Sequence, residues 1–66
     1  MLGNYLKNYR LKNNLTQAQM AERLDTSQSY YSGLETGRKK PGFVMVDKIS
    51  KALNLKSSTI RKMLWK

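Results

Sequence analysis

Sixty-six residues make one domain with one small core, and the absence of Cys and His removes disulfides and the usual structural zinc sites. Thirteen Lys and Arg stand against four Asp and Glu, a net charge of +9 whose field suits a polyanion, either nucleic acid or an anionic membrane surface. No apolar run is long enough to span a bilayer, and the N-terminus lacks a signal peptide's charged-then-apolar layout, so an intracellular, cytoplasmic location is the expectation.

Apolar residues recur at helical spacing and no stretch alternates over strand length, which predicts five helices in a single all-α domain, residues 1–66. The first helix runs from about Asn4 to Lys12, with Leu2, Leu6 and Tyr9 spaced as one face. Asn13-Asn14 ends it, since Asn tolerates the left-handed conformation of a helix exit. Thr16-Gln17-Ala18-Gln19 is a capping box that opens the second helix, whose buried stripe is Met20, Ala21 and Leu24 and whose end lies near Leu24.

Asp25-Thr26-Ser27 makes a turn, and Ser27 is a good N-cap for a third helix from Gln28 to about Thr36. Tyr31 and Leu34 give that helix its inward face, and Gly37 stops it. After the loop at Pro41-Gly42, Val46, Ile49, Ala52 and Leu53 mark a fourth helix, with Asn54 at its exit. Ser57 or Ser58 caps a fifth helix carrying Ile60, Met63 and Leu64. Ile60 and Leu64 are assigned to the core, while Met63 and Trp65 stay open between core and surface.

Helices two and three are short and joined by a tight turn, so they cannot lie antiparallel and bury much. They must cross steeply, which presents the third helix on the surface. From Gln17 to Thr36 the chain resembles the helix-turn-helix of the phage Cro/repressor family, also called the xenobiotic-response-element family. The resemblance is carried by Leu15-Thr16-Gln17, by Ala21 at the helix crossing, and by Leu24 before the turn. Leu34-Glu35-Thr36-Gly37-Arg38, Pro41, Lys51-Ala52-Leu53-Asn54-Leu55 and Arg10 extend it from Leu2 to Leu64. It implies a compact five-helix bundle of the phage-repressor DNA-binding-domain type. The chain departs from the family at Asp25 and Asn54, which stand where Gly is usual, at Tyr31, which replaces Ile or Val, and at Gly33, where relatives often place a base-reading side chain.

The resemblance implies that Gln28 and Ser29, with Ser32, reach base edges in the major groove; Gln suits adenine N6 and N7, and Ser suits any base. Tyr30 divides evenly between packing and a contact to a phosphate or thymine methyl. Gln17 and Ser27 are assigned to the DNA backbone, as are Arg38, Lys39 and Lys40, which follow the reading helix as a basic run. Arg10 has two candidate roles, a phosphate contact and a structural pair with Glu35; the pair is preferred because an unpaired Glu35 would repel DNA. Phe43 and Val44, with Met63 and Trp65, are candidate dimer contacts near the two-fold axis of relatives.

For enzymology the sequence offers nothing: no His, no Cys nucleophile, no Gly-rich phosphate loop and no paired carboxylates at catalytic spacing. No cofactor, metal or small-molecule ligand is expected. The expectation is a nucleoid-associated, sequence-specific transcription regulator of Cro type, a homodimer on a pseudo-palindromic operator in double-stranded DNA. The chain as given stops after helix five, which favours Cro over a larger, cleavable repressor. An antitoxin-type autoregulator with a protein partner is the alternative within the class; outside it stands a basic amphipathic membrane-active protein.

Overall fold

The computed structural model describes residues 2–64, so Trp65 lies outside the described residues. It contains five helices: α1 (Leu2–Lys12), α2 (Gln17–Arg23), α3 (Gln28–Thr36), α4 (Phe43–Leu53) and α5 (Ser57–Leu64). The bundle is all-α, as the apolar periodicity requires. α3 packs against both α1 and α2, α4 packs on α5, and α5 closes back on α1.

Each junction follows from local chemistry. Thr16 caps α2 through the box: its hydroxyl accepts from the Gln19 amide at 3.1 Å, while the Gln19 side chain accepts from the Thr16 amide at 2.8 Å. Ser27 caps α3 by accepting from the Tyr30 amide at 3.1 Å. Asn14, Asp25 and Asn54 all adopt positive φ, at 57°, 54° and 56°. These are the residues other than Gly that reach this conformation at least cost, so the turns close without glycine.

The core gathers Leu2 and Leu6 of α1, Met20, Ala21 and Leu24 around α2, Tyr31 and Leu34 of α3, Met45, Val46, Ile49 and Leu53 of α4, and Ile60 of α5. Full burial of each large aliphatic side chain contributes about 1.5–3 kcal/mol before entropy is counted, so a set this small leaves little margin.

Three boundaries or burials differ from expectation. α1 begins at Leu2 rather than Asn4, because Leu2 is buried and Gly3 lets the first turn lie directly on the end of α3. α4 starts at Phe43, directly after the Pro41-Gly42 loop, with Gly42 as an N-cap that supplies no side-chain bond and hence no sequence signal. α5 starts at Ser57, one position before a serine cap would allow; the Lys56 carbonyl opens the helix by accepting from Thr59 and Ile60 at 3.0 and 3.2 Å. Leu64 is only half-buried at the edge of the core beside Met63, since α5 presents Ile60 inward and the following turn reaches the rim.

A Cβ at Gly3 would collide with the Glu35 carbonyl oxygen and lie 2.9 Å from the Leu34 carbonyl oxygen. Backbone cannot step aside as a flexible side chain can. Gly3→Ala should therefore lower stability by about 1–3 kcal/mol in urea denaturation. Gly42→Ala meets open space and should cost less, about 0.5 kcal/mol, the preference of an N-cap for Gly over Ala.

Candidate nucleic-acid interface

The turn between α2 and α3 comprises residues 24–27, and its geometry is fixed at both ends. The Leu24 amide donates to Met20 and the Asp25 amide to Glu22, closing α2, while the Thr26 amide reaches back to the Ala21 carbonyl at 3.0 Å. Lys48 of α4 donates to the Asp25 carbonyl at 3.3 Å and places its ammonium 3.6 Å from the Asp25 carboxylate, tying the turn to the next helix. With Tyr31 and Leu34 sunk in the core, α3 turns Gln28 and Ser29 fully outward and Ser32 partly so. The Ser27 hydroxyl accepts a bond as cap and keeps its own proton to donate.

Behind this surface lies a polar cluster. Arg10 Nε donates to Glu35 Oε2 at 2.7 Å and Nη2 to Oε1 at 3.3 Å, while Nη1 donates to the Leu15 carbonyl at 3.1 Å. Gln17 Nε2 adds a bond to Glu35 Oε1 at 3.1 Å. The side chains of Arg10 and Glu35 are only 12% and 4% exposed. Arg10 therefore forms the structural pair with Glu35. The Gln17 side chain is committed to Glu35 too, and its main-chain amide, in the first turn of α2, has no partner within the helix.

Burial alone would push the Glu35 carboxyl up, but the bonds from Arg10 and Gln17 outweigh it and hold the group below its ordinary range. The Arg10 guanidinium is raised, chiefly by its bond to Glu35. Tyr31 lies beside the pair with its hydroxyl fully buried and without a hydrogen bond of acceptable geometry. Burial pushes that phenol up, so it stays neutral across the physiological range.

Tyr30 is half-buried, packs on the core, and donates its hydroxyl to the Lys40 carbonyl at 3.3 Å. That bond ties α3 to the basic loop. Arg38, Lys39 and Lys40 are exposed. Three of the four acids are occupied by cations, Glu35 by Arg10, Asp25 by Lys48 and Asp47 by Lys51 at 3.2 Å, so little negative charge is free to weaken the field of the loop. Phe43 and Val44 stand out at 84% and 70% exposed, with the Arg61 guanidinium 6.0 Å from the centre of the Phe43 ring. Met63 sits half-buried.

Two features were not assigned from the sequence pattern. No spacing rule links Tyr30 to Lys40. Gly33, by contrast, carries a readable signal as a lone Gly inside a helix, a common mark of close approach; it is buried although it lies toward the outward side of α3. Among the described residues no group of acids could hold a metal ion, and no helix is long and apolar enough to cross a membrane. A family model described as helix-turn-helix matches residues 6–60, from α1 into α5. A search of curated proteins finds no match.

Removing Glu35 would strand Arg10 as an unpaired, nearly buried cation. Glu35→Ala should cost about 1–3 kcal/mol or more, against about 0.5 kcal/mol or less for the exposed Glu22→Ala, as read by urea unfolding. Because the folded-state pKa of Glu35 is depressed, its contribution is complete above the ordinary glutamate value of about 4.3 and fades as pH falls toward the folded value. Glu35→Gln should lack that part of the acid limb of the stability–pH curve.

Proposed function

The chain belongs to the Cro/repressor-type helix-turn-helix family of DNA-binding transcription regulators, and we propose that it is a Cro-like repressor from a phage or mobile element. It binds a pseudo-palindromic operator as a homodimer, one α3 in each of two successive major grooves, with half-sites about one helical turn apart. One observation carries the proposal: an outward first turn on α3, Gln28-Ser29, stands next to an exposed basic loop held by Tyr30.

Reading and holding fall to different residues. Gln28 offers an amide donor and acceptor that match adenine N7 and N6, and Ser29 and Ser32 offer hydroxyls to neighbouring edges. Arg38, Lys39 and Lys40 neutralise phosphates, joined by the Ser27 hydroxyl and the Gln17 main-chain amide. Phe43 and Val44 are apolar and exposed on one turn, and they supply the surface through which two copies meet on DNA. The free protein is then largely monomeric at micromolar concentration, because this patch is small against a standard interface of about 800 Å² per partner.

Selection of bound duplexes from a random pool identifies the operator, and titrations then separate the roles. Gln28→Ala should lose about 1–3 kcal/mol on operator while binding to scrambled DNA stays nearly intact. Arg38→Ala and Lys40→Ala should weaken all duplexes alike, each flattening the slope of log K against log salt by about 0.9. Equal weakening of operator and scrambled DNA by Gln28→Ala would remove α3 from the reading role.

Dimerisation has its own check. Phe43→Ser should lower affinity for a full operator tenfold or more, about 1.4 kcal/mol, yet leave a single half-site unaffected. Sedimentation should count two chains per full operator for the unmodified protein. One chain bound as tightly as two would end the two-fold arrangement.

A further inference from the structure

We infer that Gly33 is a positioning residue for DNA binding: lacking a side chain, it seats the stem of Lys39 across the outward side of α3 and holds the ammonium to the phosphates beside the reading turn. The inference rests on α3 being the base-reading helix. Gly33 lies one helical turn beyond Ser29, on the side that carries Ser29 and Ser32. Ser29 is exposed there, yet Gly33 is buried.

Lys39 is what covers it. A Cβ at position 33 would collide with Lys39 Cγ and stand 3.2 Å from its Cβ and 3.7 Å from its Cδ. The backbone closes the same contact, with the Lys39 amide donating to the Gly33 carbonyl at 3.0 Å and the Thr36 hydroxyl donating to that oxygen at 3.2 Å. One residue further on, Tyr30 anchors the Lys40 carbonyl. Lys39 as a whole stays exposed, so the packed stem leaves its charged head in water.

Left-handed geometry does not explain this glycine, because the one Gly at positive φ among the described residues is Gly37. Glycine weakens a helix interior relative to alanine, and the notch for the Lys39 stem is what it supplies in return. A lysine already laid along a surface loses less rotamer freedom on meeting a phosphate than one waving in solvent. In place of a side chain at position 33 that could reach a base, the chain carries a prearranged cation.

The test titrates Gly33→Ala, Lys39→Ala and the double variant with the selected operator between about 50 and 200 mM salt, once circular dichroism has verified their folding. Each phosphate no longer neutralised flattens the log–log slope by about 0.9, roughly a threefold difference in affinity change over that range. Gly33→Ala should flatten the slope as much as Lys39→Ala does, and the double variant should be no flatter than Lys39→Ala. An unchanged slope for Gly33→Ala or for Lys39→Ala overturns the inference, and so does a double variant flatter than both. If the unmodified protein binds no duplex even at low salt, the base-reading role of α3 fails and the inference falls with it. Should Gly33→Ala not fold, nuclear Overhauser effects between the Gly33 α protons and the Lys39 side chain of the unmodified protein take its place. Their presence, with a flattened slope for Lys39→Ala, supports the inference; their absence overturns it.

Discussion

Everything outward on this protein depends on one inward contact, the forked pairing of Arg10 with Glu35. The two side chains join the end of α1 to the end of α3. The remaining Arg10 bond reaches the Leu15 carbonyl and the Gln17 amide reaches Glu35, so the start of α2 is drawn into the same cluster. A buried ion pair is poor evidence for net stability, because desolvation offsets much of its attraction. Its value here is geometric: three helices are keyed to one planar fork, and a slip of any of them would leave a charge unpaired out of water.

That constraint also settles the sign of the surface. Glu35 lies at the C-terminal end of the helix whose first turn faces outward, and an exposed carboxylate there would oppose a phosphate backbone. Pairing it with Arg10, and turning Asp25 and Asp47 to Lys48 and Lys51, leaves Arg38, Lys39 and Lys40 as the uncompensated charge next to α3. The three cations of this loop thus keep their charge where the proposed ligand passes. Tyr30 and Gly33, both on α3, contact the loop that follows it at Lys40 and Lys39.

The fold was largely legible in the residues, because its punctuation is chemical. The Thr16–Gln19 box, the Ser27 cap and the left-handed exits at Asn14, Asp25 and Asn54 each have a side-chain signature, and the structure places each where that signature points. What stayed hidden lacks such signatures. The starts of α1 and α4 are set by packing, with Gly42 capping without a side chain, and α5 opens on a lysine carbonyl. Among the site residues, the pairing of Arg10 with Glu35 followed from the family resemblance at Arg10 and from the repulsion an unpaired Glu35 would exert on DNA. The capture of Gln17 by Glu35, the tie from Tyr30 to Lys40 and the cover of Lys39 over Gly33 arise only in three dimensions, and no periodicity announces them.

The central claim is that two copies of α3 read two successive major grooves of one operator. Methylation and ethylation interference on the selected duplex tests it most directly. The account expects two clusters of major-groove base interference centred about 10 base pairs apart, each flanked by phosphates whose ethylation also blocks binding. Interference confined to phosphates, with no base position sensitive, or a single cluster occupied by one chain, would contradict it.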